Sequence, residues 1–192
     1  MSSAIQPETG TAQWHSLVTE AEAGMGIHLD EDLESYLVFL LMRFSTRPEI
    51  ADRILALDYL QGMQASGQVQ QEQMRDVGDI CLLHAGFFPK RAEKRLVKIS
   101  YYVQLGRSAY HHLANQSVTA LARLFGHLAQ EFVVIMDTLQ AIQQINPQQA
   151  MGLSPIQAME LWQDTGSQQA RKTLSKYTDA SIIMTKKGGP AH

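Results

Sequence analysis

The fold of this chain is decided by residues 117–145, which read SVTALARLFGHLAQEFVVIMDTLQAIQQI. Apolar side chains recur in this stretch at alternating steps of three and four residues, the spacing of one face of an α-helix. The positions are Val118, Leu121, Phe125, Leu128, Phe132, Ile135, Leu139 and Ile142. The pattern predicts one long helix, about 40 Å from end to end, along which other helices must pack.

A second long helix is predicted over residues 90–114, where apolar residues again follow the helical period. No segment alternates apolar and polar residues with a period of two, so no strand is expected. We therefore predict an all-α, single-domain helical bundle of about six to eight helices, with 90–114 and 117–145 as its two long central helices. The helical domain is predicted to span 12–177, between a flexible N-terminal arm at 1–11 and a flexible C-terminal tail at 178–192.

Composition excludes several classes of protein. The chain has 192 residues, a formal net charge of −3 and a pI near 6.1, which gives no general attraction for nucleic acid or anionic lipid. Its one cysteine, Cys81, cannot form an intramolecular disulfide and suits a reducing compartment. The first residues lack the features of a signal peptide, and the apolar run at 36–44 is too short to cross a bilayer. We therefore expect a cytoplasmic protein with no membrane partner.

No catalytic motif is present, so the residues favour a binding or regulatory module that acts through a helical surface, as a monomer or as a homodimer. The densest group of positive charges is the candidate partner surface, because five basic residues within nine positions (Lys90, Arg91, Lys94, Arg95 and Lys98) concentrate a local field. The residues of this surface are Lys90, Arg91, Lys94, Lys98 and Tyr101. A protein, with a second copy of this chain included, is the favoured partner; nucleic acid or another polyanion is less favoured.

The alternative is a small helical enzyme or a cofactor- or metal-binding bundle. Its pocket would lie between the helices 69–85, 90–114 and 117–145, since a bundle core can hold such a site without a local motif. Its lining residues would be Cys81, His84, Arg95, Tyr102, Tyr110, His127 and Glu131.

Metal binding is not predicted from these residues. His127 and Glu131 stand four apart on a helix, but bundle metal sites use Glu-x-x-His steps, and no such step occurs in the sequence. Arg95 and Glu131 are instead expected to face inward and pair with each other. His111 and His112 are expected to point into solvent, so no cofactor is assigned to them.

Overall fold

The computed structural model describes residues 10–47, 49, 55–145 and 152–177. The predicted tail at 178–192 lies outside these ranges, as does the predicted arm at 1–11 apart from Gly10 and Thr11. Those two residues belong to the first helix, which therefore begins two residues earlier than predicted.

The described residues form ten α-helices and no strand, which confirms the predicted all-α bundle. The number exceeds the predicted range because both predicted long helices are interrupted. The helices are α1 (Gly10–Met25), α2 (Glu31–Thr46), α3 (Leu55–Gln64), α4 (Gly67–Gly86), α5 (Pro89–Lys94), α6 (Ile99–Gln116), α7 (Thr119–Gln130), α8 (Phe132–Ile145), α9 (Pro155–Thr165) and α10 (Gln168–Ser175). None of them combines the length and the apolar character that a membrane span requires.

The prediction of one helix over 90–114 is wrong, because α5 ends before α6 begins. The Val97 N–H donates to the Ala92 carbonyl oxygen at 3.0 Å, and Leu96 between them has φ +56°. This is a Schellman ending, in which the left-handed position is usually glycine. α1 ends the same way with Gly26 at φ +68°. Because leucine rather than glycine occupies the left-handed position, the sequence gives no signal that the helix ends here.

The prediction of one helix over 117–145 is also wrong, because the chain kinks at Glu131. Its backbone has φ −90° and ψ 11°, although the Glu131 N–H still bonds the His127 carbonyl at 2.8 Å. Arg107 of α6 donates from Nε to the Ala129 carbonyl oxygen at 2.9 Å, just before the kink. A side-chain donor that reaches a helix carbonyl is a recognised cause of such a bend. The two halves then pack on different neighbours, α7 along α6 and α8 against α1 and α4.

The centre of the bundle is α4, not the pair of helices predicted. Its residues are buried without interruption from Val77 to Gly86. α4 packs against α3, α6 and α8, so it is covered on more than the single apolar face that its sequence suggests.

Two glycines allow α4 and α6 to approach closely. A Cβ on Gly78 of α4 would lie 2.5 Å from Cε1 of Tyr110, and one on Gly106 of α6 would lie 2.5 Å from Cε2 of Phe132. Real Cβ atoms are not found at such distances, since interiors are packed at van der Waals contact. The Tyr110 ring therefore rests on the α4 backbone, next to Asp79.

Candidate functional site

The turn between α5 and α6 exposes an apolar side chain on a strained backbone. Leu96 is 96% exposed and is the only non-glycine with positive φ among the described residues. A left-handed conformation costs an L-residue about 1–2 kcal/mol. Burial of the side chain does not compensate for this cost within the described part of the chain, and strain of this kind concentrates at functional sites.

A groove of about 280 Å³ lies beside this leucine. One wall is the turn itself, residues 96–100, and the other is formed by residues of α9 and its N-cap. Ile156 on the α9 wall is 74% exposed. We call the groove and its exposed rim the turn surface; its members are Lys94, Leu96, Val97, Lys98, Ile99, Tyr101, Ile156 and Glu160.

The walls of the groove are held by specific bonds. Ser154 and Gln157 form a capping box at the start of α9, and Gln157 Nε2 also donates to the Pro89 carbonyl at 3.1 Å. The Ser100 hydroxyl donates to Asp164 Oδ2 at 2.7 Å. The groove is therefore a preformed feature, which lowers the entropy lost when a partner is bound.

One residue of the predicted partner surface, Lys98, lines the groove, and the others are near it in sequence, on α5 and in the first turn of α6. Lys90, Lys94 and Lys98 are exposed, and Tyr101 is 39% exposed. Lys98 Nζ lies 3.2 Å from Glu160 Oε1, so part of its charge is balanced across the groove. The side chain of Arg91 lies outside the described part of the structure.

Four of the seven predicted pocket residues come together at the α4–α6 contact. The His84 ring stacks on Tyr102 with centroids 5.1 Å apart, and Arg95 hydrogen-bonds the Tyr102 side chain. Cys81 is close enough to Tyr102 to influence its pKa. Burial raises the pKa of the Cys81 thiol, which keeps it protonated and a poor nucleophile.

The other three predicted pocket residues lie elsewhere. Tyr110 is fully buried against Asp79, whereas His127 is half-buried with Nδ1 3.7 Å from Asp30 Oδ2. Glu131 is exposed at the kink. The expectation that Arg95 and Glu131 face inward is wrong, since both side chains are exposed. No group of three His, Cys, Asp or Glu in the described chain is placed to hold a metal ion.

The prediction that His111 and His112 both point into solvent is correct only for His111. His111 is exposed, but His112 is half-buried and its Nε2 has neither solvent contact nor a hydrogen-bond partner among the described residues.

A buried polar cluster where α2, α4 and α6 cross was not predicted. Asp79 is 3% exposed, and its Oδ1 accepts hydrogen bonds from the hydroxyls of Tyr36 at 2.6 Å and Tyr110 at 2.8 Å. Arg43 donates from Nη1 to Asp79 Oδ2 at 3.1 Å and from Nη2 to Asp76 Oδ1 at 2.5 Å. We call Tyr36, Arg43, Asp79 and Tyr110 the hub.

The hub contains a carboxyl group, that of Asp79, whose pKa is raised towards neutral pH. Burial raises the pKa of Asp79 to about 6, although hydrogen bonds from Tyr36 and Tyr110 and the charge of Arg43 oppose the rise. Burial and the Asp79 charge raise the pKa of both tyrosines, so they remain hydrogen-bond donors. The sequence gives no signal of this cluster, because Asp79 lies off the apolar stripe of α4, whose second half proves to be buried on all sides.

Comparison of the chain with protein-family models, with curated proteins and with solved structures finds no match. The turn surface offers a strained apolar side chain, a preformed groove and a basic rim. These three features suit non-covalent recognition of another molecule, because hot spots combine an apolar anchor with a surrounding polar rim.

Proposed function

We propose that this chain is a cytoplasmic all-α binding module that recognises an acidic protein segment at the turn surface. The single observation that carries the proposal is Leu96, which is 96% exposed on a left-handed backbone. A glycine at this position would end α5 without strain. The leucine is better explained by a partner that buries it.

The energy available from this contact is large enough to matter. Complete burial of a leucine side chain contributes about 1.5–3 kcal/mol, and each 1.4 kcal/mol is about tenfold in affinity. Ile156, on the opposite wall, is 74% exposed and would be covered by the same partner. Two apolar anchors across one groove favour a segment that carries apolar side chains.

The charge of the rim favours an acidic segment over a neutral one. Lys94 is exposed two residues before Leu96, and Lys98 lines the groove itself. Complementary charge raises the association rate and discriminates against basic partners. Nucleic acid, the other polyanion considered, would satisfy the lysines and leave the apolar groove without an occupant.

The test is a titration of the isotope-labelled protein with a short synthetic acidic peptide that contains two leucines, followed by NMR. We expect shifts around the groove and saturable binding that weakens with salt. Leu96→Ser should weaken binding about tenfold or more. The matched control is Leu57→Ser, since Leu57 is 53% exposed on α3, away from the groove.

Three outcomes would overturn the proposal. The first is equal binding of a peptide whose leucines are replaced by serine, because charge alone would then explain the contact. The second is an equal effect of Leu96→Ser and Leu57→Ser. The third is concentration-dependent self-association that Leu96→Ser abolishes, because the occupant would then be a second copy of this chain.

A second candidate function, a small helical enzyme or cofactor binder, is favoured by one observation. The hub places a carboxylate with a pKa of about 6 at the edge of a cavity, and perturbed groups in clefts are common at active sites. Absorption spectra and elemental analysis of the purified protein test this candidate. A stoichiometric chromophore or metal would support it, and a colourless, metal-free protein would leave only a colourless organic ligand to consider.

A further inference from the structure

A second groove lies at the other end of α6, between the first half of α4 and the junction of α6 with α7. Its volume is about 430 Å³, within the range of small-molecule sites. Its apolar wall consists of Leu113, Leu121 and Phe125, and its polar wall of side chains from α4. Leu121 is 49% exposed, so apolar surface is open to solvent here.

A smaller cavity of about 170 Å³ adjoins the hub. Arg43, Arg75 and Asp79 line it together with Tyr36, Phe39 and Leu40. Arg75 lines both this cavity and the larger groove. The rings of Tyr36 and Phe125 touch edge to face with centroids 6.4 Å apart, so the apolar parts of the two sites are adjacent.

We propose that these two sites form one binding site for a small amphipathic carboxylate, with its apolar tail on Leu113, Leu121 and Phe125 and its head group at Arg75. The apolar wall alone would accept any hydrophobic molecule. The position of Arg75 at the junction selects one with an anionic end.

The charges that face the site favour this orientation. Asp79 and Asp76 are both engaged by Arg43, and Asp79 also accepts two tyrosine hydroxyls. The remaining carboxylate, Glu72, lines the larger groove and accepts a hydrogen bond from Gln68 Nε2 at 2.8 Å. Arg43 is thus occupied by its own carboxylates, so Arg75 is the guanidinium group that the junction offers to a head group, whereas Glu72 in the larger groove is the opposing acid.

The site does not depend on the turn surface. The two share no lining residue. Loss of peptide binding in Leu96→Ser would leave this proposal untouched, and failure here would leave the peptide site untouched.

The test compares octanoate, octanol and octylamine, three ligands with the same tail and different heads, on the wild-type protein. Calorimetry should give octanoate an affinity at least about tenfold above octylamine, with octanol between them. NMR shifts should centre on Leu113, Leu121 and Phe125. Equal affinities for the three ligands, or shifts centred elsewhere, would overturn the proposal without need of any variant.

Variants at two positions distinguish the contribution of the head group to the affinity from that of the apolar tail. Arg75→Gln should weaken octanoate about tenfold and leave octanol unchanged, and Arg75→Lys should restore part of the difference. Leu121→Asn should weaken both ligands alike. The control is Arg171→Gln, an exposed arginine of α10 outside both cavities. An unchanged octanoate affinity in Arg75→Gln contradicts the assignment of the head group.

Discussion

The hub and the turn surface place polar and apolar groups in opposite ways. In the hub, the Asp79 carboxylate is withdrawn from water and is bonded to two tyrosine hydroxyls and to the guanidinium of Arg43. At the turn surface, leucine and isoleucine side chains stand in water beside lysines. The hub satisfies its polar groups internally, whereas the turn surface leaves its apolar groups for another molecule to cover.

The comparison separates residues that hold the fold from residues that are free to bind. Changes in the hub should alter the free energy of unfolding strongly, because a buried polar group that loses its partner is costly. Changes at the turn surface should alter binding and have little effect on unfolding. Four predictions test this division.

The largest effect is expected for Asp79→Ala. Removal of the carboxylate leaves two tyrosine hydroxyls and one side of Arg43 without their acceptor in the core, which should destabilise the protein by about 3–5 kcal/mol. Chemical denaturation followed by circular dichroism measures this. The matched control is Asp76→Ala, because the Asp76 side chain is 21% exposed. This variant should lower the free energy of unfolding by no more than about 1–2 kcal/mol. Equal losses would show that burial is not what distinguishes the two aspartates.

The next effect is a pH dependence that comes from Asp79. Its pKa is raised from 3.8 to about 6 in the folded protein, so the folded state binds this proton more tightly than the unfolded chain does. The contribution to the free energy of unfolding is therefore fully present below pH about 3.8 and is lost as the pH rises through about 6, by on the order of 3 kcal/mol.

Asp79→Asn isolates this contribution, because it removes the titrating group and keeps the shape. The pKa of Asp137 is also raised by burial, so the wild-type curve contains both groups and the difference between the proteins contains mainly Asp79. Denaturation curves from about pH 4 to about pH 8 should show wild type losing stability relative to the variant. Parallel curves would contradict the raised pKa.

A smaller effect, of opposite sign, is expected for Leu96→Gly. Glycine adopts the left-handed conformation without strain, so the variant should be stabilised by about 1 kcal/mol, while peptide binding at the turn surface is lost. Gly26→Ala makes the reverse change in the equivalent ending of α1, where a Cβ would meet nothing within 4 Å. It should destabilise by about the same amount. Destabilisation by Leu96→Gly would mean that the exposed side chain contributes to the fold.

The smallest effect on stability is expected for Lys94→Glu combined with Lys98→Glu. The Lys98–Glu160 pair is 57% and 38% exposed, and exposed pairs contribute about 0–1 kcal/mol. Thermal unfolding should therefore move little, whereas affinity for the acidic peptide should fall and its salt dependence should weaken. Unchanged affinity for the acidic peptide after both charge reversals would show that these lysines do not contribute to its recognition.

The sequence predicted those parts of the fold that depend on local chemistry. The all-α class and the absence of strands among the described residues follow from the helical spacing of apolar residues along the chain. The two breaks escaped prediction for physical reasons. One depends on a leucine in a conformation that favours glycine, and the other coincides with a hydrogen bond from Arg107 on another helix.

The candidate sites were predicted less completely than the fold. The basic cluster was visible in the sequence, but the exposure of Leu96 and Ile156 was not. Their exposure follows from the break after α5 and from the docking of α9, which are tertiary events. The hub was hidden for a similar reason, since Asp79 is covered by Tyr36 and Arg43 of α2 and by Tyr110 of α6, whose ring packs on Gly78.

The burial of the single cysteine allows the separation of α4 from α6 to be measured by thiol labelling. Cys81 is 0% exposed, and a Cβ built on Gly106 of α6 would lie only 2.8 Å from the Cβ of Cys81. A thiol-modifying reagent therefore cannot reach the sulfur while α4 and α6 stay in contact. The rate of labelling in native buffer therefore reports how often these two helices separate. Pulsed alkylation with mass spectrometry would time that opening without any introduced probe.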